Sequence, residues 1–184
     1  MVSLTALLLP ILLSAVLVFI LSAVIHMALG YHANDFGKLP NEEAVRAALR
    51  GTPAGDYMIP RPESAAAMRS PEHLDKLKEG PIAFMTVQPG RTMAMGRELT
   101  LWFIYTVIVS IIAAYVASRA VGPGAEYLAV FRFVGTTAFA AYGVGHWADV
   151  IWYRRSSTTA LKNTFDALIY ALATAGMFGW LWPS

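Results

Sequence analysis

The sequence predicts an all-α membrane protein: a bundle of four transmembrane helices with a partly ordered loop of 68 residues, 30–97, between the first and second. Three observations predict it. Four uninterrupted apolar stretches, Leu4–Leu29, Leu99–Ala120, Tyr127–Tyr153 and Thr164–Trp182, are each long enough to cross a hydrocarbon core of roughly 30 Å as a helix. The chain of 184 residues is 57% hydrophobic and only 14% charged, against about 25% for a typical soluble domain. The charges also avoid those stretches: residues 30–97 hold nine of the 14 Lys and Arg and eight of the 12 Asp and Glu. One membrane domain covering residues 1–184 fits this length.

The first stretch, Leu4–Leu29, reads as a retained helix. A secretion signal needs a positive n-region and a short apolar core, whereas Met1–Ser3 carries no charged side chain and the apolar run is too long. In the loop, Asn41, Glu42 and Glu43 followed by Gly51 predict a short helix over 41–50. Ser70, Pro71 and Gly80 predict a second over 71–79, with Ser70 as cap and Pro71 at the first helical position. The Pro- and Gly-rich segment 52–62 reads as irregular. Ile82–Val87 and Thr92–Met95 around Gln88-Pro89-Gly90 read as a hairpin. Val121-Gly-Pro-Gly-Ala125 is a tight turn that makes spans two and three antiparallel neighbours.

Lys and Arg near span ends favour the cytoplasmic side. Lys38, Arg91 and Arg97 flank the long loop, and Arg154, Arg155 and Lys162 lie in the link before the last span. The expected topology is a multi-pass protein of the inner (plasma) membrane, with both termini outside and residues 30–97 in the cytoplasm. Trp102, Trp147, Trp152 and Tyr153 then mark the inner headgroups, and Tyr127, Trp180 and Trp182 the outer ones.

Small residues recur at four-residue spacing: Ser110, Ala114 and Ser118; Thr137, Ala141 and Gly145; Ala171, Ala175 and Gly179. Close backbone approach along such ridges holds helices together in lipid. They build this bundle or dock a protein partner or second copy.

The polar residues of the spans form the candidate site. His26 ends span one, His146 and Asp149 share a face of span three, and Asp166 opens span four. The expected topology brings all four to the cytoplasmic end. Ionisable groups inside a span are costly and face the interior or a wet cavity. His26 and His146 from different helices are candidate haem ligands. With Asp149 and Asp166 they are candidate ligands for a divalent metal. The plainer alternative is helix-end anchoring, with Asp166 offsetting its helix dipole. His26, His32 and Asp35 form a second set across Gly30, read as a polar helix exit. His73 reads as solvated, and Arg132 as snorkelling outward.

The absence of Cys removes disulfides, thiolate metal sites and Cys nucleophiles. There is no Walker loop and no G-x-S-x-G elbow, and the basic residues form no nucleic-acid footprint. No catalytic residue is assigned.

The stretches His26-Met27 to Tyr31-His32, Leu39-Pro40, Ala47-Ala48-Leu49-Arg50, Glu126 to Arg132 and Phe178 to Pro183 resemble uncharacterised small bacterial integral membrane proteins. The resemblance implies a bacterial setting and supplies no activity, cofactor or site residue. The first functional expectation is therefore a non-enzymatic accessory or assembly subunit of a larger membrane complex. The second is a haem- or metal-binding redox membrane protein using His26 and His146. The third, a small transporter or channel, is disfavoured because polar residues line no span from end to end.

Overall fold

Leucine, isoleucine and valine dominate the first long helix, and two more helices are apolar over a comparable length. In the computed structural model, which describes residues 1–90 and 94–184, Thr5–Ala28, Gly96–Ala120 and Tyr127–Tyr153 are each long and apolar enough to cross a membrane. These dimensions are compatible with a multi-pass membrane protein. The chain divides into two compact units, one of Met1–Gly37 with Ala94–Ser184, the other of Lys38–Met93.

In the first unit, α1 (Leu8–Ala23), α4 (Gly96–Ala120), α5 (Tyr127–Phe139) and α7 (Ser157–Trp180) pack in a ring: α1 touches α4 and α7, and α5 touches the same two. Helix α6 (His146–Tyr153) continues the direction of α5. The interior is small and mildly polar. Ser14, Thr106, Ser110, Ser118 and Thr174 are buried beside Ala113, Ala114, Ala117, Ala171 and Ala175. The outward residues are large and apolar, among them Leu9, Leu12, Ile20, Ile104, Ile108 and Ile112. This pattern suits a lipid solvent, in which helices gain by close approach and interhelical hydrogen bonds rather than by hiding Leu. Ser14 Oγ donates to Ser110 Oγ at 3.1 Å, and Trp102 Nε1 donates to Ser22 Oγ at 2.8 Å.

The sequence expects a fourth span over Thr164–Trp182. Helix α7 begins seven residues earlier, at Ser157, because Ser156 Oγ accepts from the Thr159 N–H and caps it. Lys162, Asn163 and Asp166 interrupt its first half, and α7 is not among the helices apolar enough to cross.

Two helices contain a π turn, at Val24–Ala28 in the first span and Ala140–Val144 between α5 and α6. Such one-turn insertions rotate all that follows and recur at functional sites. In the second, the Ala141 carbonyl accepts from the Tyr105 hydroxyl at 2.9 Å. The buried face of α5 is Val130, Val134 and Ala138, followed by Tyr142. The expected ridge of Thr137, Ala141 and Gly145 lies one position to the side of it. Ala171 and Ala175 are buried; Ala175 Cβ stands 3.2 Å from where a Cβ on Gly135 would be. Gly179 lies against the Tyr127 ring, which a Cβ there would meet at 2.7 Å.

The second unit has helices α2 (Glu42–Ala48) and α3 (Pro71–Glu79) and one antiparallel pair, β1 (Gly55–Ile59) with β2 (Ala83–Val87), in register from Gly55 opposite Val87 to Ile59 opposite Ala83. Ser70 Oγ accepts from the His73 N–H at 3.2 Å, whereas Asn41 makes no side-chain cap. The partner of the Ile82–Val87 segment is thus β1, within the segment expected to be irregular; Thr92 and Met93 of the expected hairpin lie outside the described residues. Tyr57 and Ile59 are good strand formers. Pro53 and Pro60 fall outside the strand, where a missing N–H is tolerated. His73 is the one buried residue among those described in this unit.

Candidate metal centre

The helix of the first span must stop before it can turn back on the bundle. The π turn at Val24–Ala28 closes with the Leu29 N–H on the Val24 carbonyl at 3.2 Å. Gly30 then takes φ of +67°, a left-handed conformation that glycine adopts without a Cβ penalty. Two tight turns follow, with the Ala33 N–H on Gly30 O and the Asp35 N–H on His32 O. This reversal carries Tyr31, His32 and Asp35 to α7. From α7, Asp166 and Lys162, four residues and one turn apart, meet them.

Asp166 is the hub, with only 3% of its surface exposed. Its Oδ1 accepts a hydrogen bond from the Tyr31 hydroxyl. Its Oδ2 lies 2.8 Å from His32 Nε2 and 4.0 Å from His26 Nε2. The other ring nitrogen, His32 Nδ1, is 2.6 Å from Asp35 Oδ2. Lys162 Nζ closes the network, donating at 2.6 Å to both Asp35 Oδ1 and the Tyr31 carbonyl. The Lys162 ammonium, then His32, hold the Asp35 carboxyl below the usual aspartate range. Burial, then the bond to Asp166, push the Tyr31 hydroxyl up, so the phenol keeps its proton and donates.

One ring nitrogen each of His26 and His32 and an Asp166 oxygen all lie within 4.8 Å of one another. Donors about 2.0–2.2 Å from one zinc-sized ion stand roughly 3 Å apart. The distances of 2.8 and 4.0 Å from Asp166 Oδ2 to the two imidazoles bracket that spacing. Two imidazoles and one carboxylate suit zinc or ferrous iron, three protein ligands leaving further positions open. Asp35 on His32 Nδ1 is the carboxylate–histidine support that metal-ligating imidazoles use; a bound ion would displace the Nε2 proton now shared with Asp166, and Asp35 would hold the other proton on Nδ1.

His146 and Asp149 are placed differently. They are not among these converging atoms. They line, with His26 and Asn163, two adjoining clefts of about 700 and 410 Å³ beside the cluster. Of the two sets read from the sequence, the structure joins parts of both: Asp166 from the first meets His32 and Asp35 from the second. Two signals pointed to the join. Gly30 between two histidines six residues apart marks a reversal, and Lys162 four residues before Asp166 gives α7 a polar stripe. Tyr31 carried no such signal.

Comparison with protein-family models, curated proteins and solved structures finds no match to this chain, so its function is inferred from the geometry of these residues.

Proposed function

We propose that the chain is a multi-pass protein of the bacterial plasma membrane whose bundle holds a transition-metal ion on His26, His32 and Asp166. The observation that carries this is the convergence of the three ligand atoms, with Asp35 already seated behind His32. In this reading α7 is the fourth span. Its 24 residues rise about 36 Å at 1.5 Å each. Its charged groups turn inward, Asp166 to His32 and Lys162 to Asp35, as intramembrane charges must. Residues 38–93 are assigned to the cytoplasm on the flanking Lys and Arg.

The metal reading is preferred to the accessory-subunit reading because a specific set of converging ligand atoms supports it, whereas Ala171 and Ala175 of the small-residue ridges are already buried inside this bundle. It is preferred to a haem on His26 and His146 because the ligand atoms that converge with His26 are those of His32 and Asp166, and not that of His146.

Metal analysis of protein purified in mild detergent, followed by Co²⁺ titration of the stripped protein, tests the proposal. A saturable 1:1 cobalt spectrum is expected. His32→Ala abolishes it. Asp35→Asn, which spares all three ligands, weakens affinity roughly 10–100-fold. A protein that purifies metal-free and shows no Co²⁺ spectrum at millimolar cobalt overturns the assignment.

A further inference from the structure

The 700 Å³ cleft beside the cluster holds chemistry that a metal on His26, His32 and Asp166 leaves unused. Its size suits a small organic molecule. Four aromatic rings build part of its wall. Trp102 stacks on Tyr105 with centroids 5.4 Å apart; Tyr142 stands edge-on to Tyr105 at 5.8 Å and to Tyr170 at 5.5 Å. Three carboxylates, Glu98, Asp149 and Asp166, line the same cleft, and among the described lining residues there is no Lys or Arg. Tyr142 and Tyr170 are more than nine-tenths buried in this wall, and their hydroxyls have no hydrogen-bond partner among the described residues.

We propose that this cleft binds an organic ammonium cation carried on an apolar body. Aromatic faces present negative quadrupole to a cation. A stacked Trp–Tyr pair offers such a face, because the Trp102 N–H and the Tyr105 O–H both point elsewhere, to Ser22 and Ala141. Both oxygens of Asp166 already accept, from Tyr31 and His32. Asp149, exposed on α6, is the carboxylate that meets the ligand's charge. The unpartnered hydroxyl oxygens of Tyr142 and Tyr170 add partial negative charge to the wall, which suits a cation with or without N–H groups. An anion would meet three carboxylates with no Lys or Arg among the described lining residues to offset them. A divalent metal ion gives up water reluctantly for aromatic walls and belongs at the imidazoles; a weakly hydrated ammonium gives it up readily. The inference stands on the cleft alone and not on the metal reading.

The test uses full-length protein, stripped of metal with a chelator and held in mild detergent. Two probes of the same shape are titrated by calorimetry: benzyltrimethylammonium and its uncharged carbon isostere, neopentylbenzene. The cation is expected to bind saturably and at least about tenfold more tightly than the isostere. Asp149→Asn and Trp102→Leu should each weaken it roughly fivefold or more, and Trp102→Phe should retain most of the affinity. Asp149 is exposed, so its variant folds even where Trp102→Leu does not. Equal binding of the two probes, no saturable binding of the cation, or unchanged affinity in Asp149→Asn overturns the proposal. None of these outcomes bears on whether cobalt binds at the imidazoles.

Discussion

The bundle and the Lys38–Met93 unit are built from the same acids and bases and use them in opposite ways. In the bundle, Asp35, Asp166, His32 and Lys162 are drawn from segments more than 120 residues apart and are largely buried. In the smaller unit every described ion pair is local: Arg46 with Glu43, Lys76 with Glu72, Lys78 with Asp75, all on exposed helix faces. The difference is one of surroundings. A pair in water exchanges one solvation for another and contributes little. A pair out of water is costly to form and more costly to break singly, since the surviving charge has no solvent to turn to. Long-range buried ionic networks are therefore a place to look for function, and local exposed ones are not.

Breaking the hub tests this most severely. Asp166→Leu removes the acceptor from both Tyr31 and His32 and is expected to destabilise the metal-free bundle by about 3–5 kcal/mol. Glu72→Ala, which removes the acceptor of Lys76, is expected to cost far less, because that pair stands in water. Denaturant unfolding of the two variants against the parent measures both. Similar costs would abolish the contrast.

Glycines sharpen the same comparison one step down. A Cβ on Gly143 would stand 3.0 Å from Ala167 Cβ and 3.5 Å from the Phe139 ring. Neither Ala167 nor the helix beneath it can swing aside, so Gly143→Ala should cost about 1–3 kcal/mol. Gly90 has nothing within 4 Å and no positive φ. Gly90→Ala should change stability by less than about 0.5 kcal/mol, with any shift favouring the folded form through lost freedom of the unfolded chain. Thermal unfolding resolves the pair, and a Gly90→Ala cost as large as that of Gly143→Ala contradicts it.

Much of the bundle was legible because one-dimensional signals sufficed. Apolar length marked Thr5–Ala28, Gly96–Ala120 and Tyr127–Tyr153, and the Gly-Pro-Gly turn separated the last two. Other features needed information the sequence carries only weakly. The start of α7 rests on Ser156, one cap among several Ser and Thr, and the polar run Lys162 to Asp166 masked its continuity. The pairing of β1 with β2 joins segments 28 residues apart, and local turn chemistry favoured the nearer partner. At the site, the sequence signals were local and the contacts were not. Four-residue spacing picked out Thr137, Ala141 and Gly145, whereas the buried series is Val130, Val134, Ala138 and Tyr142, one position over. His26 lies within the π turn Val24–Ala28, and no residue type announces such a turn. Asp166 was thus legible as a candidate, while its imidazole partner, His32, was assigned to a different set.

The smallest effect separates the two regions by salt rather than by energy. Asp35 and Glu72 are both held below their ordinary ranges, each chiefly by a lysine ammonium, Lys162 and Lys76 respectively. The sign is the same for both. The native state binds fewer protons than the unfolded chain in the acid range, so each contributes stability that is complete above its ordinary carboxyl pKa and is lost as pH falls through the lower, native value. The two should diverge when ionic strength is raised. Screening length shrinks from about 10 Å at 0.1 M to about 3 Å at 1 M, and Glu72, on an open helix face, loses its lysine to counterions. Asp35 is enclosed by His32 and Lys162 with its carboxylate largely out of solvent, where salt does not reach. Carboxyl ¹³C titrations at the two salt concentrations should therefore show the Glu72 midpoint rising toward that of a free glutamate while the Asp35 midpoint stays depressed. A parallel rise at both sites would mean that counterions reach Asp35 as freely as Glu72, and the contrast between enclosed and open pairs would fail there.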